Sequence, residues 1–189
     1  MQVNLNVLEE DYLPNYLPHR EEQIKYLAKI IESFVRTGIK TKNIFIFGPT
    51  GIGKTATIKF VFRELEEKLN SKLIYINCWI NKSEISIFHE ILRNFEQAFP
   101  RKGIALDQIF LRLKEIIEKV NVPIILALDE IDKVEDINSV LYKISRSKEI
   151  LGKEILAILI SNSRDFLTKI EERVKSSLAL EEIEFKKYS

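Results

Sequence analysis

Three short stretches of this sequence hold the residue types that phosphate chemistry requires. The first, GPTGIGKT, matches G-x-x-x-x-G-K-[ST] in full. Polyphosphate oxygens must be met by several backbone N–H groups at once, and glycine lets a chain curl that tightly. The candidate cradle is therefore Gly48, Pro49, Thr50, Gly51, Ile52, Gly53, Lys54 and Thr55. Lys54 has the reach and charge for the β- and γ-phosphates of a nucleotide, and the Thr55 hydroxyl suits Mg²⁺. The second stretch, PIILALDEID, places Asp129 and Glu130 at the end of an apolar run. Asp129 would hold Mg²⁺ largely through its water shell, and Glu130 would orient and deprotonate an attacking water. The third, ILISNS, ends in Asn162, a neutral amide able to bridge that water and the γ-phosphate.

These residues can act together only if the fold brings them to one edge. Asn43 to Phe47, Leu73 to Asn77, Pro123 to Leu128, Ile155 to Ile160 and Leu178 to Phe185 read as strands. The runs at 123–128 and 155–160 are continuously apolar, as in strands buried on both faces of a parallel sheet. Helical spacing marks Glu21 to Thr37, Gly53 to Leu69, Glu84 to Phe99, Ala105 to Val120, Asp136 to Arg146 and Phe166 to Arg173. Strands alternating with helices predict an α/β fold: a five-stranded, mostly parallel sheet between two helical layers, with its ligand site at the carboxyl ends of the strands. The glycine run then lies between a strand and a helix, as its chemistry demands, and the helix adds its positive end.

Composition narrows the rest. Lys and Arg number 29 against 28 Asp and Glu, for a net charge of +1. That excludes a protein that coats nucleic acid by bulk charge, so any such contact must be local. Residues 36–82 nevertheless carry nine Lys or Arg against three Glu, a setting for a polyanion. No apolar run is long enough for a membrane span, which predicts a soluble cytoplasmic protein with no membrane partner. Cys78 is the single cysteine and reads as a packed thiol, and His19 and His89 lack a second ligand at metal spacing. The expected cofactors are ATP or ADP and Mg²⁺, with Thr55 and Asp129 as the metal residues and no other metal.

GPTGIGKT, LALDEID and SNS in this order resemble an AAA+ ATPase core. The flanking YLPNYLPHREEQIKYLA, YINC, RKGIALDQIFLRL, VLYKISRS and RVKSSL are similar to archaeal replication initiators of the origin-recognition and cell-division-control type. The resemblance runs from Leu13 to Tyr188. It implies an extended segment, 1–20, whose Leu17, Pro18, His19 and Arg20 help to form the adenine pocket, followed by a nucleotide-binding core over 21–189. It implies a helical pair at about 81–120 that touches double-stranded origin DNA through Lys82, Arg93, Arg101 and Lys102. Read alone, those four are also ordinary solvated surface beside Glu84, Glu90 and Glu96. Arg173 falls where the family carries an arginine finger for a neighbour's γ-phosphate, though Glu172 stands where a proline is usual; Arg146 is a second inter-subunit candidate.

The same resemblance implies an ATP switch with slow hydrolysis, acting with other initiator subunits and the replicative helicase. It also implies a helical lid and winged-helix domain that this sequence lacks, hence an open nucleotide site and weak DNA affinity. A stand-alone or clamp-loader-like ATPase, and a short regulatory module that joins full-length initiators, fit the same residues.

Overall fold

Alternate residues of each strand serve opposite faces of one sheet. Ile44, Ile46, Ile125, Ala127, Leu156 and Ile158 pack with the helix residues Ile24, Leu27, Ile31, Ile58 and Val61, whereas Phe45, Leu126, Leu128, Ala157 and Leu159 pack with Phe88, Leu113, Leu141 and Val174. The structure, a computed structural model of the chain, describes residues 19–188. Its strands are β1 (Asn43–Phe47), β2 (Lys72–Asn77), β3 (Ile124–Asp129), β4 (Ile155–Ser161) and β5 (Leu180–Glu184). Helices α1 (Glu21–Thr37) and α2 (Lys54–Glu66) cover the first face. Helices α3 (Glu84–Arg93), α4 (Leu106–Ile117), α5 (Ile137–Ser145), α6 (Ser147–Leu151) and α7 (Glu172–Leu178) belong to the second. The three-layer expectation holds, and every strand pairing is parallel.

Strand order is β2-β3-β4-β1-β5. The chain starts near the middle, leaves for one edge, returns through β3 and β4 to lie beside β1, and ends at the other edge. The carboxyl ends of β1, β3 and β4 therefore meet where the order reverses, the usual crevice of an open parallel sheet. Buried Asn43 locks this centre: its amide nitrogen donates to Leu178 O and its oxygen accepts from Ala157 N–H, both at 2.9 Å.

Helix ends follow local chemistry. Gly38, at φ 69°, closes α1 with its N–H on Phe34 O at 2.8 Å. The expected helix 84–99 stops at Arg93 because the Asn94 side chain takes Glu90 O at 2.9 Å and Phe95 N–H falls back to Leu92 O at 3.0 Å. Phe95 and Phe99 still pack on the core, which is why the apolar period runs past the true end. The expected helix 166–173 is instead a 3-10 turn, Arg164–Lys169, followed by α7. Asn138 of α5 enforces the break, donating to Lys169 O at 3.1 Å and accepting from Glu171 N–H at 2.8 Å. Ala179, at φ 49°, ends α7, so Leu178 belongs to the helix and the last strand begins at Leu180. Helix α6 lies between Arg146 and Ile155, where the apolar spacing marks no element.

Candidate functional site

The glycine run leaves β1 at Phe47 and wraps onto α2. At Gly48 a Cβ would stand 2.3 Å from the Phe185 carbonyl oxygen, so the chain beyond β5 admits only glycine there. Phe185 N–H also donates to Phe47 O at 2.7 Å. Gly53, at φ 98°, is the N-cap of α2, and no acidic residue occupies that helix's first turn. Its unpaired N–H groups and positive end are left for an anion. Lys54, only 6% exposed, donates to Gly48 O at 2.6 Å and Pro49 O at 2.8 Å. Burial pushes its pKa down, and Asp129, Asp132 and Glu130 pull it partly back. The ammonium rests on carbonyls of its own loop, a position that phosphate oxygens can compete for.

Asp129, 3% exposed, ends β3 directly across from that helix start. Its Oδ2 accepts from Thr55 Oγ1 and from the Tyr75 hydroxyl, each at 2.5 Å, and its Oδ1 accepts Glu130 N–H at 2.9 Å. Sequence reasoning missed Tyr75. Its signal is register: Tyr75 pairs with Ala127, two residues before Asp129, and so shares that carboxylate's face. Burial, then the Asp129 hydrogen bond, raises the Tyr75 pKa, so the phenol stays a donor. Lys59, one turn after Thr55, lies 4.8 Å over its ring. On the neighbouring strand end, Cys78 N–H donates to Asp129 O at 2.8 Å, while burial pushes the Cys78 thiol up to about 12. A thiol so protonated is no nucleophile.

Glu130 is half-buried and left-handed, at φ 54° and ψ 45°, where it turns the chain from β3 into the 3-10 turn Ile131–Lys133. A non-glycine residue there carries strain of about 1–2 kcal/mol, and such strain concentrates at functional sites. Phe47 pairs with Ser161, so the next residues, Gly48 and Asn162, leave the sheet side by side. The structure thus gathers the glycine run, Thr55, Asp129, Glu130 and Asn162 at one edge.

Of the adenine-side candidates, Leu17 and Pro18 lie outside the described residues. His19 is exposed, left-handed at φ 62°, and 5.2 Å from the Tyr188 ring. With Arg20, Gln23, Glu184, Lys186 and Lys187 these rings line an open cleft of about 540 Å³. Arg20 is the buried member, at 3% exposure. Its guanidinium donates to Ile52 O at 2.9 Å and Lys186 O at 3.1 Å, and lies 4.7 Å from the Phe185 ring and 4.6 Å from Tyr188. It therefore ties the glycine run to the chain after β5 and serves the cleft as a brace. Arg20→Ala is expected to lower stability by about 2 kcal/mol, because two carbonyls lose a charged donor. A thermal melt should fall by roughly 4–8 °C, with little rescue by Arg20→Lys, since an ammonium does not replace the planar guanidinium that lies against the Phe185 and Tyr188 rings.

The remaining arginines and lysines lie elsewhere. Arg173, its side chain 74% exposed in the first turn of α7, pairs with Glu171 at 2.9 Å. It shares a surface with Arg146: their guanidinium carbons lie 5.5 and 5.7 Å from the Tyr142 ring. Both inter-subunit candidates thus face one patch. Arg93 and Arg101 line a cleft of about 350 Å³ beside α3, Lys102 is exposed in the turn before α4, and Lys82 lies in the β2–α3 loop.

A glycine run between β1 and α2, facing a carboxylate at the end of β3 in a β2-β3-β4-β1-β5 sheet, defines a P-loop nucleotide-binding core. The model of the AAA domain matches residues 39–177. The chain is 39% identical to ORC1-type DNA replication protein 1 of Archaeoglobus fulgidus, and 38% to that of Sulfurisphaera tokodaii, over 98% of its own length and 47% and 48% of theirs. It matches the Aeropyrum pernix ORC1 protein, solved in complex with DNA, at TM-score 0.79 and 30% identity, covering 98% of this chain and 50% of that one. Cdc6p from Pyrobaculum aerophilum shares the fold at TM-score 0.80 and 24% identity, over 99% and 50% of the two chains. The chain belongs to the AAA domain family, as a core of the archaeal ORC1/Cdc6 type. It spans about half the length of these relatives.

Proposed function

We propose that this chain is the ATP-binding core of a DNA replication initiator, in which the nucleotide acts as a slowly hydrolysed switch for origin binding and helicase loading. The observation that carries the reading is the Thr55–Asp129 pair: a hydroxyl and a carboxylate oxygen 2.5 Å apart beneath a phosphate loop. Both are hard oxygen donors of the kind Mg²⁺ takes, and their hydrogen bond would open to admit the ion with its water shell; among the described residues no three His, Cys, Asp or Glu side chains converge on a metal. The remaining ligands would be phosphate and water, as Mg²⁺ prefers. When bound, the ion neutralises charge on the β- and γ-phosphates.

The chain's own residues supply the rest. Backbone N–H groups of residues 50–55 and the Lys54 ammonium hold the phosphates. Glu130, aimed by its left-handed turn, accepts the proton of the attacking water, and Asn162 orients that water. Arg173 would act on the nucleotide of a neighbouring copy, which makes hydrolysis by one copy slow. His19 and Arg20 border the side where adenine would lie. Lys82, Arg93, Arg101 and Lys102 would meet duplex phosphates, in keeping with the DNA complex of the Aeropyrum relative.

The deciding experiment measures ATP retention by the purified chain and its binding to duplex at two salt concentrations. The reading expects bound, unhydrolysed ATP and weak duplex binding that falls further as salt rises. Turnover above about 1 per second would indicate a motor instead of a switch. Duplex binding absent even at low salt would remove the DNA contact.

A further inference from the structure

The loop from β2 to α3 exposes Trp79 and Ile80, at 54% and 76% of their full areas. Single exposed apolar residues need no explanation, but this pair is accompanied by cations. Lys82 Nζ lies 4.9 Å and Lys133 Nζ 5.2 Å from the indole centroid, and Lys133 shares itself with Asp132 at 3.6 Å. The loop is held from beneath. Trp79 N–H donates to Asn77 Oδ1 at 2.9 Å, Asn81 N–H to Asn77 O at 3.1 Å, and Glu135 N–H to Lys82 O at 3.0 Å. A loop backbone fixed in this way need not be ordered when something stacks on the indole. Asn81, between Ile80 and Lys82, also lines the cleft that holds Arg93 and Arg101.

We propose that Trp79, flanked by Lys82 and Lys133, is a stacking platform for an unpaired base of single-stranded nucleic acid, whose strand continues past Asn81 toward Arg93 and Arg101. An indole offers a π-face and no hydrogen-bond code, which suits sequence-tolerant stacking; the base would take the place of an ammonium over the ring, and the lysines would turn to the flanking phosphates. In duplex every base face is already covered by its neighbours, so the platform has nothing to take hold of there. An acidic peptide could pair the lysines but would bring no planar ring to stack on the indole. The inference goes beyond the proposed function and does not depend on nucleotide.

Trp79 is the only tryptophan of the chain, so its fluorescence reads this surface directly. The 189-residue chain, without nucleotide, is titrated with an oligothymidylate of about 15 nucleotides at two salt concentrations, and affinity is also followed by anisotropy of a labelled strand. Saturable quenching is expected, weaker at high salt. Trp79→Ala should weaken binding about tenfold and Trp79→Phe less than threefold, because any flat ring retains part of the stacking. Lys82→Ala and Lys133→Ala should each lower the slope of log affinity against log salt by about 0.7. Both positions face solvent, so the variants should melt with the parent. Unchanged affinity of Trp79→Ala, equal quenching by a duplex of the same length, or equal quenching by polyglutamate would each overturn the proposal. These outcomes are independent of ATP retention; Lys82, Arg93 and Arg101 serve duplex and single strand alike, so the two readings are separated by Trp79→Ala, which should weaken single-strand binding and leave duplex binding unchanged.

Discussion

Lys54→Ala is expected to weaken ATP binding by at least about 100-fold while leaving the fold in place. The ammonium is the one cation buried within the glycine run, and a phosphate-facing charge in a partly desolvated site is worth several kcal/mol. Its present partners are the carbonyls of Gly48 and Pro49, in the same loop. Removing it therefore breaks no hydrogen bond to another strand or helix and loses only the attraction of the carboxylates at the end of β3. Nor does the loop depend on it: Gly48 is wedged against Phe185, and Arg20 holds Ile52 from the other side. Burial already lowers the pKa of Lys54, so the folded chain bears a cost for keeping it charged, and the alanine variant should melt no lower than a few degrees from the parent. Titration with a fluorescent ATP analogue and a melt of the same sample test both halves. Near-parental affinity would remove Lys54 from the phosphate site; lost affinity with a collapsed melt would show it to be structural.

The same contacts explain what the sequence could and could not disclose. The phosphate loop is legible because its requirements are local: glycines where the backbone must turn, then Lys and Thr at a helix start. The strands β3 and β4 are legible because burial on both faces leaves no room for polar residues. Helix α1 is matched end to end, since Gly38 writes its stop into the sequence. Tyr75 is not legible, because its role depends on which strand lies beside β2 and in what register. Arg20 is legible as a neighbour of the pocket but not as a brace, since its two acceptors are Ile52 and Lys186, the second 166 residues away. The break before α7 escapes for the same reason: Asn138 imposes it from another helix, and the apolar spacing of Phe166 and Ile170 carries no sign of it. The pairing of Arg146 and Arg173 on Tyr142 likewise emerges only once α5 and α7 are packed together.

Glu130→Gln is expected to bind ATP as the parent does and to lose turnover by about 100-fold or more, the usual contribution of a positioned general base. The exchange keeps shape and the left-handed backbone; it turns one carboxylate oxygen into an NH₂ group and so removes the proton acceptor. The neighbouring carboxylate provides the contrast. Asp129 receives Thr55, Tyr75 and the Glu130 N–H on its two oxygens. In Asp129→Asn one of those oxygens becomes an NH₂ group, which cannot accept from the hydroxyls or from the backbone N–H. That variant should therefore lose stability together with Mg²⁺-dependent affinity, whereas Glu130→Gln should lose neither. Single-turnover hydrolysis with protein in excess separates chemistry from product release and registers even a very slow parent. If Glu130→Gln cleaves ATP at the parental rate while Asp129→Asn does not bind it, the water must be activated by another group, and Asp132, which accepts from Ser161 Oγ at 3.5 Å, is the next carboxylate along the same turn. If both variants lose binding, the strained turn at Glu130 supports the phosphate loop instead of the chemistry, and the left-handed backbone at that position has a structural origin.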